Sequence, residues 1–273
     1  MHYLTMGAIF RMENSWLEEW IQYHLAVGVE HFVLYNDDVE THVSDRILKP
    51  YVDQGLVENI HICDRSDTIR ITDRFCQNDC YRDLLRNSVK KTHWLAIVDL
   101  DEFILPRRWD DVRSALEEYE EYSGLAINWT VFGSSGYVKR PPTQINHLLH
   151  RSETNWAPNQ HVKSIVKPAL ARLDAQRYTH VTPTKRGITV NENGEPITRR
   201  CHDVSTEKIR INHYIIRSLQ DFWEVKAQRP RRPCSPPCDE AYLEQRDRNE
   251  VFDDEIARRF GHVVQEFEVK RKE

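Results

Sequence analysis

The first hundred residues alternate short apolar runs with amphipathic segments of helical period, and that alternation admits little besides a parallel sheet with helical crossovers. Tyr3 to Phe10 reads as a strand. Ser15-Trp-Leu-Glu has the form of a capping box, and Leu17, Trp20, Ile21, His24 and Leu25 fall at i, i+3, i+4, i+7 and i+8, one helical face stopped by Gly28. His31 to Asn36 predicts a second strand that opens into the acidic Asn36-Asp37-Asp38 loop. Asp45 to Gln54 predicts a helix stopped by Gly55, Leu56 to Cys63 a third strand, and Thr72 to Lys91 a longer helix. Trp94 to Val98 is apolar throughout and runs straight into Asp99-Leu-Asp-Glu.

The pattern then loosens. Trp109 to Tyr122 reads as an acidic helix and Gly124 to Phe132 as a strand leading to Gly133-Ser-Ser-Gly. The polar stretch from 137 to 205, with Pro141, Pro142, Pro158, Pro168, Pro183 and Pro196, predicts loops and short antiparallel strands. Ile209 to Ile216 predicts a late strand, Ser218 to Gln228 a helix, Arg229 to Cys238 a Pro-rich basic loop, and Asp253 to Phe260 a last helix before a charged tail. A length of 273 residues fits one large α/β domain or two small ones.

Several functions are excluded by what the chain lacks. Lys and Arg total 38 against 43 Asp and Glu, a net charge of −5, so the basic footprint of a nucleic-acid binder is missing. Only 9 glycines occur, none spaced as a dinucleotide fingerprint or followed by Lys-Ser/Thr as in a phosphate loop. A diphosphate would have to be held by side chains and a cation instead. Zinc-protease, nucleophile-elbow and kinase motifs are absent as well. The N-terminus lacks the form of a secretory signal and no apolar window reaches membrane-spanning length, so the expectation is a cytoplasmic chain without a transmembrane segment. The 6 cysteines are then expected as reduced thiols. Cys76 with Cys80 and Cys234 with Cys238 could hold zinc, although structural zinc more often uses a tighter spacing.

The strongest chemical signal is the apolar strand that delivers Asp99 and Asp101 at its C-terminal end. Extended geometry would point both carboxylates to one side, where open α/β sheets hold their ligands and where a hard divalent cation with its phosphates would sit. One carboxylate can bind the metal directly while the other acts through water or holds a sugar hydroxyl; the alternative is an exposed acidic turn without a role. His213, in Ile211-Asn-His-Tyr-Ile, could complete a mixed oxygen and nitrogen site suited to manganese, or be a core histidine bonded to a carbonyl. Lys163, Lys167, Lys226 and Arg11 could meet a diphosphate or be surface charges. Asn36 and Asp37 could bond a nucleoside or merely form a turn.

With these residues in view the chain resembles glycosyltransferase family 92, of the GT-A type. Arg11-Met-Glu-Asn-Ser-Trp-Leu-Glu-Glu-Trp-Ile-Gln-Tyr-His-Leu-Ala-Val-Gly-Val-Glu-His-Phe is similar to the family's opening block. Gln77 and Tyr81, Asp99-Leu-Asp-Glu-Phe, Trp129-Thr-Val-Phe-Gly-Ser-Ser-Gly, Val162-Lys163, Asn212-His-Tyr and Asp247-Arg-Asn-Glu-Val-Phe-Asp follow in the family's order over most of the chain. The resemblance implies an α/β GT-A fold, a mixed and mostly parallel central sheet flanked by helices. It implies one catalytic domain over 1–265, with 1–105 as nucleotide-binding half, 106–265 as acceptor-side half and 266–273 as tail.

It further implies inverting transfer from a nucleotide sugar, commonly a UDP-sugar, to a glycan, polysaccharide or glycolipid acceptor, with Mn2+ or Mg2+ as cofactor. By position, Asp99, Asp101 and His213 become the metal residues. Arg11, Glu13, Asp37 and Gln77 become nucleotide contacts, Trp129, Phe132 and Gly133 shape the sugar side, and Lys163 and Lys226 meet phosphate or acceptor. An inverting enzyme needs a carboxylate base; Glu153 and Asp203 rank before Asp174 and Asp221. The chain departs from the family after Lys226, where Ala227-Gln-Arg-Pro-Arg-Arg-Pro replaces an Arg-Gly or Lys-Gly step. Two rivals share some of these features. A phosphohydrolase of the haloacid dehalogenase kind also places Asp-x-Asp after a strand, but wants Thr or Gly where Glu102-Phe-Ile stands; the other is a non-catalytic sugar- or nucleotide-binding protein.

Overall fold

A computed structural model describes residues 1–62, 77–174, 179–229 and 236–270, with side chains up to residue 264. Cys63, Cys76, Cys234, the expected helix start at Thr72 and most of the Pro-rich loop lie outside the described residues, and the zinc reading lies there with them.

The strands are β1 (His2–Phe10), β2 (His31–Asn36), β3 (Val57–His61), β4 (Thr92–Ile97), β5 (Glu102–Pro106), β6 (Gly124–Val131), β7 (His150–Arg151), β8 (Val162–Val166), β9 (Thr189–Val190), β10 (Ile209–His213) and β11 (Val251–Phe252). The helices are α1 (Leu17–Ala26), α2 (His42–Asp53), α3 (Gln77–Ser88), α4 (Val112–Glu117), α5 (Leu219–Glu224), α6 (Glu240–Arg246) and α7 (Glu255–Lys270). The main sheet runs β3-β2-β1-β4-β8-β6-β10-β5, with β9 alongside β6, and β7 pairs with β11 apart from it. β3, β2, β1 and β4 run parallel to one another; β8 is antiparallel to both β4 and β6, and β5 is antiparallel to β10. This is the mixed, mostly parallel sheet flanked by helices expected of the GT-A type.

Alternation within the strands divides the apolar residues between the two faces. Leu4, Met6, Ala8 and Phe10 join α1, β5 and α7 in one core, while Val33, Tyr35, Leu95 and Ile97 join Cys80, Leu84 and Leu85 of α3 in the other. Gly7 is required on the second face: a Cβ there would lie 2.2 Å from Leu84 Cδ2. Helix α1 pins β5 by three bonds. Trp20 Nε1–H donates to the Glu102 carbonyl at 2.9 Å, Tyr23 O–H donates to the Ile104 carbonyl at 2.8 Å, and His24 Nε2 accepts the Ile104 N–H at 3.4 Å.

The structure corrects several expected elements. The Ser15 capping box does not form: α1 starts after Trp16 without a side-chain cap, the Glu13 carbonyl accepts the Trp16 and Leu17 N–H groups, and Ser15 Oγ accepts from Arg140 instead. The reciprocal box forms at Ser218 and Asp221, at the start of α5. Asp99 to Asp101 is not extended but a turn, closed by the Glu102 N–H on the Asp99 carbonyl at 3.1 Å, and β5 follows it where no strand was expected. Glu-Phe-Ile-Leu-Pro is buried at every position, so it lacks the alternation that marks a half-exposed strand. The helix expected at 109–122 shortens to α4, capped by Asp111. The late strand ends at His213 rather than Ile216, α5 stops at Glu224 before a short 3-10 turn over Lys226–Gln228, and α7 continues past Phe260 to Lys270.

Candidate functional site

The turn between β4 and β5 presents its two aspartates to different surroundings. Asp99 Oδ2 receives Lys163 Nζ at 2.7 Å and Oδ1 receives the Tyr81 hydroxyl at 3.1 Å, with Gln77 Nε2 at 3.4 Å. Lys163 lies on β8, the strand inserted beside β4, and is 2% exposed. Burial would lower its pKa, but Asp99 and Glu102 raise it above the ordinary lysine value and keep it an ammonium. Glu102 is completely buried: one oxygen accepts the Asp99 N–H at 2.8 Å and stands 3.4 Å from Lys163, and Oε1 has no hydrogen-bond partner. That burial pushes its carboxyl well above the usual range against the pull of Lys163.

Asp101 points into a looser constellation. Its Oδ2 lies 3.5 Å from His213 Nε2 and 3.6 Å from Lys226 Nζ. Burial alone would raise its pKa, yet His213, Lys226 and Arg217 hold it well below the ordinary carboxylate value, so it is an anion. His213 ends β10 opposite Glu102 and leans edge-on against Trp129, with ring centroids 4.4 Å apart. Its Nδ1 is buried with no bonding partner. A cleft of about 10 Å³, room for roughly one water, opens between Asp101, Arg217, Lys226 and Arg229.

Arg217 supports the turn from behind. It is a non-glycine residue at φ 62°, and its guanidinium donates to the Leu100 carbonyl at 3.0 Å, to Gln144 Oε1 at 2.7 Å and to Glu13 Oε2 at 2.5 Å. Glu13 is thus placed in a buried ion pair with Arg217 and also with Arg229. Arg11 and Asp37 pair with each other at 3.4 Å where β1 and β2 end, and burial raises the Asp37 pKa against the pull of Arg11. Trp129 lies under His161, stacked at 5.0 Å and 15°, with His180 at 5.5 Å.

The structure therefore brings Gln77, Asp99 and Lys163 together, and Asp101, His213 and Lys226 together, with Trp129 against His213. Gly133 has a packing reason of its own: a Cβ there would stand 2.4 Å from the Arg248 carbonyl oxygen. Phe132 is fully buried in the main core. Glu153 and Asp203 are exposed, and neither side chain bonds to the cluster. Asp174 is exposed and pairs with Arg172, while Asp221 is buried, capping α5 and accepting from Trp16 and Arg140. Sequence reasoning missed Glu102 and Arg217. Glu102 was hidden as the last acid of a motif, and no local pattern marks Arg217. The Gln77 and Tyr81 pair has an i, i+4 signature, and both do meet Asp99.

The donor chemistry fits a divalent cation at Asp101. An ionised carboxylate and an imidazole within 3.5 Å offer a hard oxygen and a nitrogen. Among the described residues no three His, Cys, Asp or Glu side chains form a group that could hold a metal ion, so a cation there would have to take its further ligands from a bound phosphate or water.

Comparison with known proteins gives the lineage. The profile of glycosyltransferase family 92 matches residues 4–251. A glycosyltransferase family 92 protein of Ricinus communis is 29% identical over 214 residues, 74% of this chain and 33% of that protein. A galactan beta-1,4-galactosyltransferase of Arabidopsis thaliana is 30% identical over 115 residues, 41% of this chain and 22% of that protein. The chain thus spans about a third or less of the length of these curated relatives. The solved structure of HddC from Yersinia pseudotuberculosis overlays with a TM-score of 0.42 at 10% identity, covering 82% of this chain and 97% of that one. No helix among the described residues is long and apolar enough to cross a membrane. The match over residues 4–251 places the chain in glycosyltransferase family 92.

Proposed function

We propose that this family 92 member moves a sugar from a nucleotide sugar, a UDP-sugar first among them, to a hydroxyl of a glycan, polysaccharide or glycolipid, with inversion and with Mn2+ or Mg2+ as cofactor. The observation that carries the reading is the ionised Asp101 converging with His213 and Lys226 at the carboxyl end of β4, beside an Asp99 oriented by Lys163 and Tyr81. Asp101 and His213 would hold the cation. Asp99 would act through water or a donor hydroxyl. The cation supplies Lewis-acid neutralisation of a diphosphate.

The chain's own residues do the remaining work. Lys226, half-buried at the cleft, offers an ammonium to the charge that builds on the departing diphosphate, and a donor fixed beforehand in a partly dry site is worth more than one in water. Arg11, Asp37 and Gln77 border the nucleoside side, and Trp129 offers a ring to the sugar. Glu153 or Asp203, both exposed, would take the acceptor proton on the face opposite the leaving group.

Melting curves with UDP, UDP-galactose and UDP-glucose, each with and without Mn2+, test the reading, because a ligand of the folded state raises the melting temperature. An upward shift that needs both uridine nucleotide and cation is expected. Absence of any shift with uridine nucleotides overturns the donor. β-1,4-Galactan oligosaccharides are the first acceptors to try, given the Arabidopsis relative.

A further inference from the structure

We infer that Arg217 is a positioning residue that fixes the Asp99-Leu100-Asp101 turn and thereby aims Asp101 at His213 and Lys226. The inference rests on the proposed role of Asp101 but not on the identity of the donor. The carbonyl between the two aspartates is held by the Arg217 guanidinium at 3.0 Å. The other edges of the same fork reach Gln144 at 2.7 Å and Glu13 at 2.5 Å, so one side chain ties the turn to the segment before α1 and to the loop after β6.

Burial makes this tie unusual. Arg217 is 5% exposed and Glu13 3%, and a buried guanidinium must find acceptors for its donors in a fixed plane. A lysine carries the charge, but its three donors leave a single nitrogen and cannot span the separated acceptors that the planar fork reaches. The backbone at φ 62° is left-handed, a conformation that favours glycine, and non-glycine residues held there concentrate at functional sites. A glycine would relieve the backbone and lose the fork. The arginine also lies directly before the capping box of α5, and the chain leaving α5 carries Lys226 to Asp101. The turn and the lysine that faces it are therefore referred to one residue. On the other side of the turn, the Asp101 carbonyl accepts the N–H of Tyr214, the residue after β10, at 2.8 Å.

Hydrogen exchange of the metal-free protein, read by mass spectrometry on peptides covering the turn, tests the inference. In Arg217→Lys the amides of Asp99 to Glu102 should exchange roughly tenfold faster while β1 and α3 keep their protection, since local opening and global unfolding are separable. The Mn2+ dissociation constant, read from the electron paramagnetic resonance of free Mn2+, should rise about tenfold or more, the range seen when partners behind metal ligands are removed. Arg140→Lys is the control: it perturbs the same α5 cap through Asp221, and the segment before α1 through Ser15, and does not touch Leu100, so the turn should exchange as in the wild type.

Unchanged exchange in the turn overturns the inference, as does faster exchange spread equally over β1. If Arg217→Lys does not fold, Glu13→Gln decides, because it removes the counter-ion that holds the fork. Faster exchange confined to the turn supports the inference, and no change overturns it. Failure of the wild type to bind Mn2+ would instead remove the cation from the proposed function, and the exchange result would still decide the role of Arg217.

Discussion

Two buried clusters of acids and bases stand at different places on β10, and they are built to different tolerances. Around Asp253, Arg210 donates to both oxygens at 2.8 Å and Arg151 adds a bond of 2.7 Å. The arginines hold the Asp253 carboxyl far below the ordinary range although burial opposes it. Around Asp101 the His213 ring and the Lys226 ammonium stand at 3.5 and 3.6 Å, and buried Glu102 Oε1 and His213 Nδ1 have no partner. A satisfied, bidentate cluster is what a fold uses to fasten an element, here β10 to the start of α7. An under-satisfied one is tolerated where chemistry requires it.

Breaking the tight cluster should give the largest loss of stability. Asp253→Ala takes the bidentate partner from Arg210, which is 3% exposed and keeps only Asn212 and a more distant Glu255, and should cost about 3–5 kcal/mol in denaturant unfolding; a loss under about 1 kcal/mol would erase the distinction between the clusters. Asp101→Asn should do the reverse. It removes one of several like-charged neighbours of Glu102, so the fold persists, while transfer falls on the order of 10²–10³, as when one preorganised charge-stabilising group is lost. Full turnover in that variant would make Asp101 a structural residue like Asp253.

Acid probes the core where α1 packs on β5, through His24. Burial lowers the His24 pKa from 6.5 to about 3, against the raising effect of its bond to the Trp20 carbonyl. The unfolded chain takes up this proton below about pH 6.5 and the folded chain only near 3, so the stability is complete above 6.5 and is lost as pH falls. Between pH 6.5 and 4.5 the loss from this one group is roughly 2–3 kcal/mol. A His24→Gln variant, less stable overall, should show a correspondingly shallower decline over that interval; an unchanged slope would remove His24 as the cause. Gly133→Ala should cost least, about 1–3 kcal/mol for pressing a methyl against the Arg248 carbonyl. UDP and Mn2+ affinity should be retained there if glycine serves packing, and lost if it borders the sugar.

The same contrast explains what the sequence could and could not reveal. β1, β2 and β3 are successive neighbours in the sheet, joined through α1 and α2, so periodicity with Gly28 and Gly55 was enough to place them. β8 was not legible: Val-Lys-Ser-Ile-Val carries a lysine and a serine into a fully buried central strand, and its partners on β4 and β6 are distant in sequence. Lys163 is tolerated there because Asp99 and Glu102 wait beside it, a compensation visible only after folding. Asp99, Asp101 and His213 were readable as residue types, but their geometry was not. The turn that separates the two aspartates depends on β5, which crosses to pair with β10 and is held from outside by Trp20 and Tyr23, and on Arg217, which bonds the Leu100 carbonyl of the turn itself.

The central claim is that Asp101 and His213 form a cation site. Titration of the wild type, Asp101→Asn and His213→Gln with Mn2+, followed by the electron paramagnetic resonance of the free ion in the presence of UDP, addresses it directly. The account predicts one Mn2+ per wild-type chain and loss of that binding in both variants, with melting temperatures close to the wild type. Stoichiometric binding that survives in both variants would contradict it.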